Sequence, residues 1–304
     1  MKCSFCGREA AYNERASGVL RCDRCLKENV EKKFRRAVTK NKMIAPGETI
    51  AVAVSGGKDS TTLLHLVTNY CRDHDCGVFA ITVDEGIKGY RDDSIPIARE
   101  NAERLGVEHV TVSFKEEFGH SLDEILEKTS EGDASRVACT YCGVLRRSLL
   151  NRKARELGAS KIATGHNLDD EAQAIMLNYV RADLSRLHRL GPAYPPRDGF
   201  VPRVKPLYKI PEKEIALYAL LNNIEVHAAT CPYAEGIHTE IREFINKLET
   251  NHPNTKTMIL TLFEQLKPKI IEATPKFEPR ECEKCGEPSA GSKCKACELL
   301  AKIE

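Results

Sequence analysis

The chain has 304 residues, 41% hydrophobic and 30% charged, which fits about two domains of a well-charged globular protein rather than a disordered one. Its uncharged apolar runs, such as residues 50–54, fall far short of the roughly 20 residues that span a bilayer, and Met1-Lys2-Cys3 opens no apolar leader, so a membrane partner and a secreted disulfide scaffold are excluded and a cytoplasmic protein is expected. A net charge of +2 hides segregation: residues 1–42 hold 12 Lys/Arg against 5 Asp/Glu, residues 73–133 hold 6 against 16, and residues 181–213 hold 8 against 3, which points to a polyanion site on part of the surface.

In chain order, Cys3-x2-Cys6 and Cys22-x2-Cys25 come first. Two Cys-x-x-Cys knuckles in so short a segment match a closed four-thiolate zinc site, whose metal supplies folding free energy the segment cannot gain by burial. A basic helix is predicted over residues 28–42 and a buried strand over 49–54. Ser55-Gly56-Gly57-Lys58-Asp59-Ser60 follows, then an apolar helix from residue 61. Two glycines let backbone N–H groups approach an anion, and the helix N-terminus adds its own donors and positive dipole end. Lys58 is followed by Asp59 and the GxxxxGK spacing is absent, so this is not a Walker loop.

A second strand is expected over residues 77–83, ending in Val83-Asp84-Glu85-Gly86 where a nucleotide's base or ribose would lie. A helix follows over 95–105, a third strand over 108–114, and a helix around 122–128. Cys139 and Cys142 are placed in a loop before a basic helix over 141–157. A fourth strand at 161–163 runs into Ala163-Thr164-Gly165-His166-Asn167-Leu168-Asp169-Asp170 and a helix over 169–180. Asp169 and Asp170 either cap that helix or, for Asp170, hold Mg²⁺ or orient a substrate. His166 is as well explained by packing as by catalysis. Residues 192–206 read as a Pro/Arg/Gly-rich loop, and residues 211–222, 237–248 and 256–266 as helices. Cys231 follows Cys142 after 88 intervening residues. Three cysteines fall one short of a four-thiolate zinc site, leaving three readings open: an iron–sulfur cluster with one iron unbound by protein, a redox dithiol, or a persulfide. Cys282-x2-Cys285 and Cys294-x2-Cys297 form a second four-thiolate set. Loss of Cys3 or Cys282 is expected to loosen only its own finger. Cys71 and Cys76 join no cluster.

Alternating strands and helices argue for an α/β, doubly wound parallel sheet, with ligands at the strands' carboxyl ends. The expected division is an N-terminal finger (1–27), a basic linker helix (28–48), a catalytic domain (49–250), a helical linker (251–279) and a C-terminal finger (280–304).

The SGGKDS string resembles the pyrophosphate loop, SGGxDS, of the PP-loop ATP pyrophosphatases, whose fold is HUP-like and which cleave ATP between the α and β phosphates. Over essentially its whole length the chain resembles the tRNA 2-thiouridine synthetases, with Cys139-Thr140-Tyr141-Cys142-Gly143, the ATGHNxDD string and Cys231-Pro232-Tyr233 between two fingers. The resemblance implies a [4Fe–4S] cluster on Cys139, Cys142 and Cys231. It implies an ATP site, with Mg²⁺, of Ala53, Val54, Ser55, Gly56, Gly57, Lys58, Asp59, Ser60, Val83, Arg147 and Gly165, and catalytic roles for Asp59, Arg146 and Asp170. Zn²⁺ would fill both fingers, two per chain. Implied partners are tRNA, a sulfur donor (sulfide or a ubiquitin-like thiocarboxylate) and a second copy of the chain as homodimer. Asn178-x-x-Arg181-Ala182-Asp183-x-x-Arg186-Leu187 resembles the wobble-uridine branch's N-x-x-R-G-D-x-x-R-L, with Ala182 in place of glycine. Cys25 stands where some T-loop-uridine enzymes carry histidine. The implied activity is ATP-dependent tRNA uridine 2-thiolation, at the wobble rather than the T-loop position. An amidating or lysidine-forming pyrophosphatase would not need the clustered cysteines, and a non-catalytic zinc-finger RNA binder would not need an intact SGGKDS.

Overall fold

A computed structural model describes residues 1–129, 134–193, 197–234, 236–274 and 279–303. The N-terminal finger pairs β1 (Tyr12–Glu14) with β2 (Val19–Arg21) and passes directly into α1 (Asp23–Lys40). Then follow β3 (Thr49–Ala53), α2 (Lys58–Asp73), β4 (Gly77–Asp84), α3 (Arg91–Arg104), β5 (Glu108–Ser113), α4 (Phe114–Phe118), α5 (Leu122–Lys128) and α6 (Ala134–Glu156). The second half holds β6 (Lys161–Ala163), α7 (Leu168–Val180), α8 (Leu184–His188), β7 (Arg203–Val204), α9 (Glu212–Leu221), α10 (Ile237–Asn251) and α11 (Thr255–Ala273). The C-terminal finger is β8 (Arg280–Glu281), β9 (Pro288–Ser289) and α12 (Lys295–Leu300). Among the described residues no helix is long and apolar enough to cross a membrane.

The five central strands are all parallel, in the order β5-β4-β3-β6-β7. The chain leaves β3 toward β4 and returns on its other side as β6, so the strand order reverses at β3. In doubly wound sheets that reversal point is where a ligand crevice lies, at the carboxyl ends of the strands. Alternation along β3 divides the interior: Ile50 and Val52 face one core with Leu26, Phe34, Leu63, Ile175, Tyr218 and Phe263. Ala51, with Phe79, Ile81 and Val83 of β4, faces a second core with Leu122, Tyr141, Leu145 and Leu149.

Four sequence expectations are corrected. α1 begins at Asp23, not residue 28, because Cys22 is its N-cap and Cys25 sits in its first turn. α2 begins at Lys58, not residue 61, so the loop's own Lys58-Asp59-Ser60 form its first turn. Residues 192–206, read as a loop, supply the fifth strand β7, which pairs Arg203 with Ile162 and Val204 with Ala163. Pro202 and Pro206 hid it, yet prolines are tolerated beside a short edge strand; residues 194–196 of that segment lie outside the described residues, as do residues 275–278 of the expected helical linker. α6 begins at Ala134, not residue 141, so Cys139 and Cys142 lie on the helix and not in a preceding loop. Tyr141 packs into the second core with Val137 half-buried against it, and Ala138 is buried, which holds those turns helical despite the weak propensity of Cys-Thr-Tyr-Cys.

The C-terminal finger is also not independent. Cys282, Cys294, Cys297, Leu299 and Ile303 share the second core with α6. The Tyr141 hydroxyl donates to the Leu299 carbonyl at 3.2 Å, and Asn151 Nδ2 donates to Glu287 Oε2 at 3.3 Å. Glu287 also pairs with Arg155. α1, which continues the N-terminal finger, is tied instead to α9, with Lys33 Nζ 2.7 Å from Glu214 Oε1, and the finger's Tyr12 ring centre lies 5.8 Å from Lys213 Nζ.

α7 ends in a Schellman turn, with Asp183 N–H on the Asn178 carbonyl at 2.9 Å and Ala182 N–H on that of Tyr179 at 3.0 Å. That turn puts Ala182 at φ +49°, where a β-carbon is strained. Ala182→Gly is therefore expected to raise stability by about 0.5–1 kcal/mol. Urea unfolding measures it, and an unchanged or lowered midpoint contradicts the strain.

Candidate active site

The SGGKDS loop joins β3 to α2. Gly56 takes φ +81°, and a β-carbon there would lie 2.3 Å from the Ser94 carbonyl oxygen, so only glycine fits. Gly57 is the N-cap of α2. The Ser60 hydroxyl closes the turn, accepting from Ser55 N–H at 3.0 Å and donating to the Gly57 carbonyl at 3.0 Å. The first-turn amides of α2 have no helical acceptor and point toward the crevice mouth, which makes them donors for an anion. Lys58 Nζ lies 2.9 Å from Asp59 Oδ2 and 2.7 Å from Glu212 Oε1; burial works to lower its pKa, but these partners raise it. Glu212, held below the usual carboxylate range by Lys58 and Arg242 against its burial, was not anticipated as a site residue.

β6 leads into the second wall. A β-carbon on Gly165 would sit 2.9 Å from Ser60 N and 3.0 Å from the Asp59 carbonyl carbon, so this glycine lets β6 and α2 close on each other. Neither aspartate is the N-cap of α7. Asn167 is, accepting from Asp169 N–H at 2.8 Å and Asp170 N–H at 3.1 Å, while Asp170 Oδ2 returns the capping box by accepting from Asn167 N–H at 3.0 Å. Asn167 Nδ2 also donates to Asp59 Oδ1 at 2.9 Å and so binds the two walls together. Asp169 is buried, pairs with Lys256 and accepts from Glu212 N–H at 2.9 Å, which makes it an anchor for α11 and α9. Asp170 faces the loop. Burial, with the charges of Asp59 and Glu212, pushes its carboxyl up to about 6. His166 shares a hydrogen bond with Thr164 Oγ1 at 2.9 Å and reaches solvent. Desolvation, then the charges of Lys205, Arg146, Arg203 and Arg147, hold its imidazole below the usual histidine range.

The third wall carries sulfur. Cys139 and Cys142 lie three residues apart on α6, hence on one face. Cys139 Sγ lies 3.7 Å from the carbonyl oxygen of Tyr233, two residues beyond Cys231, and Cys142 Sγ lies 3.9 Å from Glu85 Oε1. Burial pushes the Cys142 thiol up to about 11; Arg146 opposes this, and Cys231 is among the charges it feels. The chain reaches Cys231 along the phosphate loop: His227 N–H donates to the Gly56 carbonyl at 2.8 Å, four residues before the cysteine. Arg146 follows Cys142 by one turn, its Nη1 3.5 Å from Glu85 Oε1. Arg147 follows it, its carbonyl accepting from Arg203 at 2.9 Å. Ala53 ends β3, Val54 follows it, and Val83 is the last residue but one of β4, so all three lie at the carboxyl ends of their strands.

Both four-cysteine sets are assembled. Within each, all four sulfur atoms lie within 4.8 Å of one another. Cys6–Cys22 and Cys285–Cys294 separations of 3.4 and 3.6 Å compare with about 3.8 Å for thiolates tetrahedral about one ion at 2.3 Å. The sets share one plan: a glycine at φ +71° after the first knuckle (Gly7, Gly286), then the third cysteine as N-cap of a helix whose first turn carries the fourth. Amide donors, led by Cys294 N–H at 3.2 Å, hold the Cys282 thiol down to about 6 against burial, which favours the thiolate a metal needs. Cys139, Cys142 and Cys231 are spread more widely than either set, which suits a ligand larger than one ion.

The site members not anticipated from the sequence are Glu212 and His227; Asn167 and Glu85 lie in segments already singled out, but without a role of their own. An Asn167/Asp170 capping pair was readable from its spacing. Nothing in the local sequence marks Glu212 or His227.

The PP-loop domain family matches residues 26–228. The tRNA 2-thiolation protein NcsA of Haloferax volcanii is 39% identical over 322 aligned residues, covering 100% of this chain and 99% of that protein. The cytoplasmic tRNA 2-thiolation protein 1 of Chlamydomonas reinhardtii is 38% identical, over 92% of this chain and 78% of its own. Among solved structures, the U34-tRNA thiolase NcsA from Methanococcus maripaludis with its [4Fe-4S] cluster superposes with a TM-score of 0.85 at 36% identity, covering 99% of this chain and 96% of that one. With the loop, the capped ATGHN turn and the cysteine wall in place, the chain belongs to the tRNA 2-thiolation proteins of the PP-loop family.

Proposed function

We propose that the protein is an ATP-dependent tRNA uridine 2-sulfurtransferase acting at the wobble uridine. The observation that supports it most is the short path, through the Gly56–His227 backbone hydrogen bond, from an anion-binding loop to Cys231, which brings adenylation and sulfur chemistry to one set of strand ends. The names of the relatives and the Asn178-x-x-Arg181-Ala182-Asp183 string favour the wobble position.

In this reading the uracil C2 oxygen attacks the α-phosphorus of ATP as the N3 proton leaves, and pyrophosphate departs onto the loop amides and Ser55 and Ser60. Amides fixed before the reaction stabilise charge developing on the leaving group without reorganisation. Asp59 of the loop and Asp170 of the neighbouring wall serve Mg²⁺ and the orientation of the uracil. Hydrosulfide then adds at C2, AMP leaves with the C2 oxygen, and 2-thiouridine remains. The donor set Cys139, Cys142 and Cys231 would hold a [4Fe–4S] cluster, which supplies an iron without a protein ligand for carrying the sulfide. Arg146 beside Cys142 offers positive charge to the incoming sulfur. Zinc in each finger, two per chain, a sulfide or thiocarboxylate donor, a homodimer and a cytoplasmic setting complete the proposal, with the fingers at residues 1–27 and 280–304 flanking a catalytic unit at 49–250. Basic segments 28–42, 146–155 and 181–209 track tRNA phosphates.

Asp59→Ala and Ser60→Ala test it. Each is expected to lower tRNA-dependent pyrophosphate release by roughly 10²–10³-fold, the scale for removing one preorganised group, while tRNA affinity, spread over many phosphate contacts, changes little. Normal pyrophosphate release in either variant would show that the loop has been misassigned.

A further inference from the structure

Glu85 lies just beyond the end of β4 with its side chain 0% exposed. Its carboxylate grips Arg91 bidentately, Oε2 on Nε and Oε1 on Nη2, the latter at 2.8 Å. The same Oε1 lies 3.5 Å from Arg146 Nη1 and 3.9 Å from Cys142 Sγ. Arg91 carries the contact onward: its Nη1 donates to the Ser55 carbonyl at 3.2 Å and to Ser94 Oγ at 3.3 Å. Ser94 is the residue whose carbonyl bears on Gly56. One buried carboxylate therefore stands between the wall that carries sulfur and the loop that binds pyrophosphate. Burying an ion pair gains little stability over an apolar pair of the same volume. A carboxylate does what an apolar group cannot: it fixes the direction of two guanidinium groups at once.

Resting on the thiolation reading above, we propose that Glu85 is a positioning residue for both halves of the reaction, holding Arg146 against the sulfur-bearing cysteines and, through Arg91, holding the Ser55 turn of the phosphate loop.

Glu85→Gln, Arg146→Met, their double variant and Arg91→Met are compared in two assays. In the first, ATP binding is titrated on iron-free protein. Affinity should fall about tenfold in Glu85→Gln and Arg91→Met, the scale of one charged hydrogen bond lost to the loop, and stay at the wild-type value in Arg146→Met. In the second, single-turnover thiolation by anaerobic holoenzyme is followed at saturating ATP. Glu85→Gln and Arg146→Met should each lose about 100-fold, as for a reacting group misplaced by an ångström. The double variant should lose no more than the worse single one, because Glu85 acts through Arg146. Losses that multiply toward about 10⁴-fold, the mark of independent or merely structural effects, would overturn the proposal. Wild-type ATP affinity in folded Glu85→Gln would overturn it equally. If Glu85→Gln does not fold, Glu85→Leu/Arg91→Met removes both buried charges together and replaces it, with the same pattern expected. A wild-type protein that thiolates no tRNA refutes the proposed function alone; Glu85's hold on the loop is then decided by the ATP titration.

Discussion

Cys139→Ala, Cys142→Ala and Cys231→Ala are each expected to remove tRNA thiolation by roughly 10³-fold or more, and combining them should cost little further, because groups that act as a unit are lost as a unit. Cys139 and Cys142 share one face of α6, and the Cys231 segment reaches them through Tyr233. Wild-type protein purified without oxygen should be brown with broad visible absorption, and any one substitution should bleach it and lower its iron. ATP binding should survive, since the loop's own hydrogen bonds, Ser60 to Ser55 and Gly57, involve none of the three. A persulfide mechanism predicts a different pattern: one cysteine indispensable, another replaceable, and activity in air with a reductant and no iron. Iron and absorption measured beside the thiolation rate separate the two.

Cys282→Ser is expected to reach further than the loss of one metal. Cys282, Cys294 and Cys297 are packed against Tyr141, Leu145 and Leu149 of α6, the helix that carries Cys139, Cys142 and Arg146. Losing the metal unpins that packing, and a cost of about 3–5 kcal/mol is in the range for a lost structural metal. Zinc should fall by one equivalent, the melting temperature by roughly 5–10 °C, and thiolation by tenfold or more. Cys3→Ser should also release one equivalent. Its finger, though, leans on α1 and α9, away from the cysteine wall, and its thiolation chemistry should stay within about threefold of wild type, the usual range for sites that share no partners. Equal losses of thiolation in the two variants would argue against the docking of the second finger as the cause.

Much of the fold was legible because the central strands are buried on both faces. Segments such as Thr-Ile-Ala-Val-Ala at β3 and Gly-Val-Phe-Ala-Ile-Thr-Val-Asp at β4 read as short apolar runs bounded by turns. The helix expected at 122–128 has those bounds because Ser121 and Glu124 form a capping box. β7 was not legible: two residues between prolines carry no period, and only pairing with β6 makes them a strand. The first turns of α6 were missed for the same kind of reason, since burial of Ala138 and Tyr141 overrides local preference.

The site divides similarly. SGGKDS and ATGHN were readable because backbone conformation and capping restrict the residues allowed at each place. The structure adds contacts that spacing did not show: Gly165 packs against α2, and Asp169 anchors two helices through Lys256 and Glu212. The meeting of Glu85 with Arg146 and the arrival of the Cys231 segment beside α6 depend on contacts between distant segments, which spacing along the chain does not encode.

Mass-spectrometric mapping of nucleosides tests the central claim most directly. Unmodified tRNA is incubated with anaerobically purified protein, ATP, Mg²⁺ and sulfide, digested, and its fragments sequenced. The account predicts 2-thiouridine at the wobble position, dependent on ATP and absent with Asp59→Ala or Cys142→Ala protein. Sulfur found only at a T-loop uridine, or thiolation of the wobble uridine by colourless, iron-free protein, would contradict it.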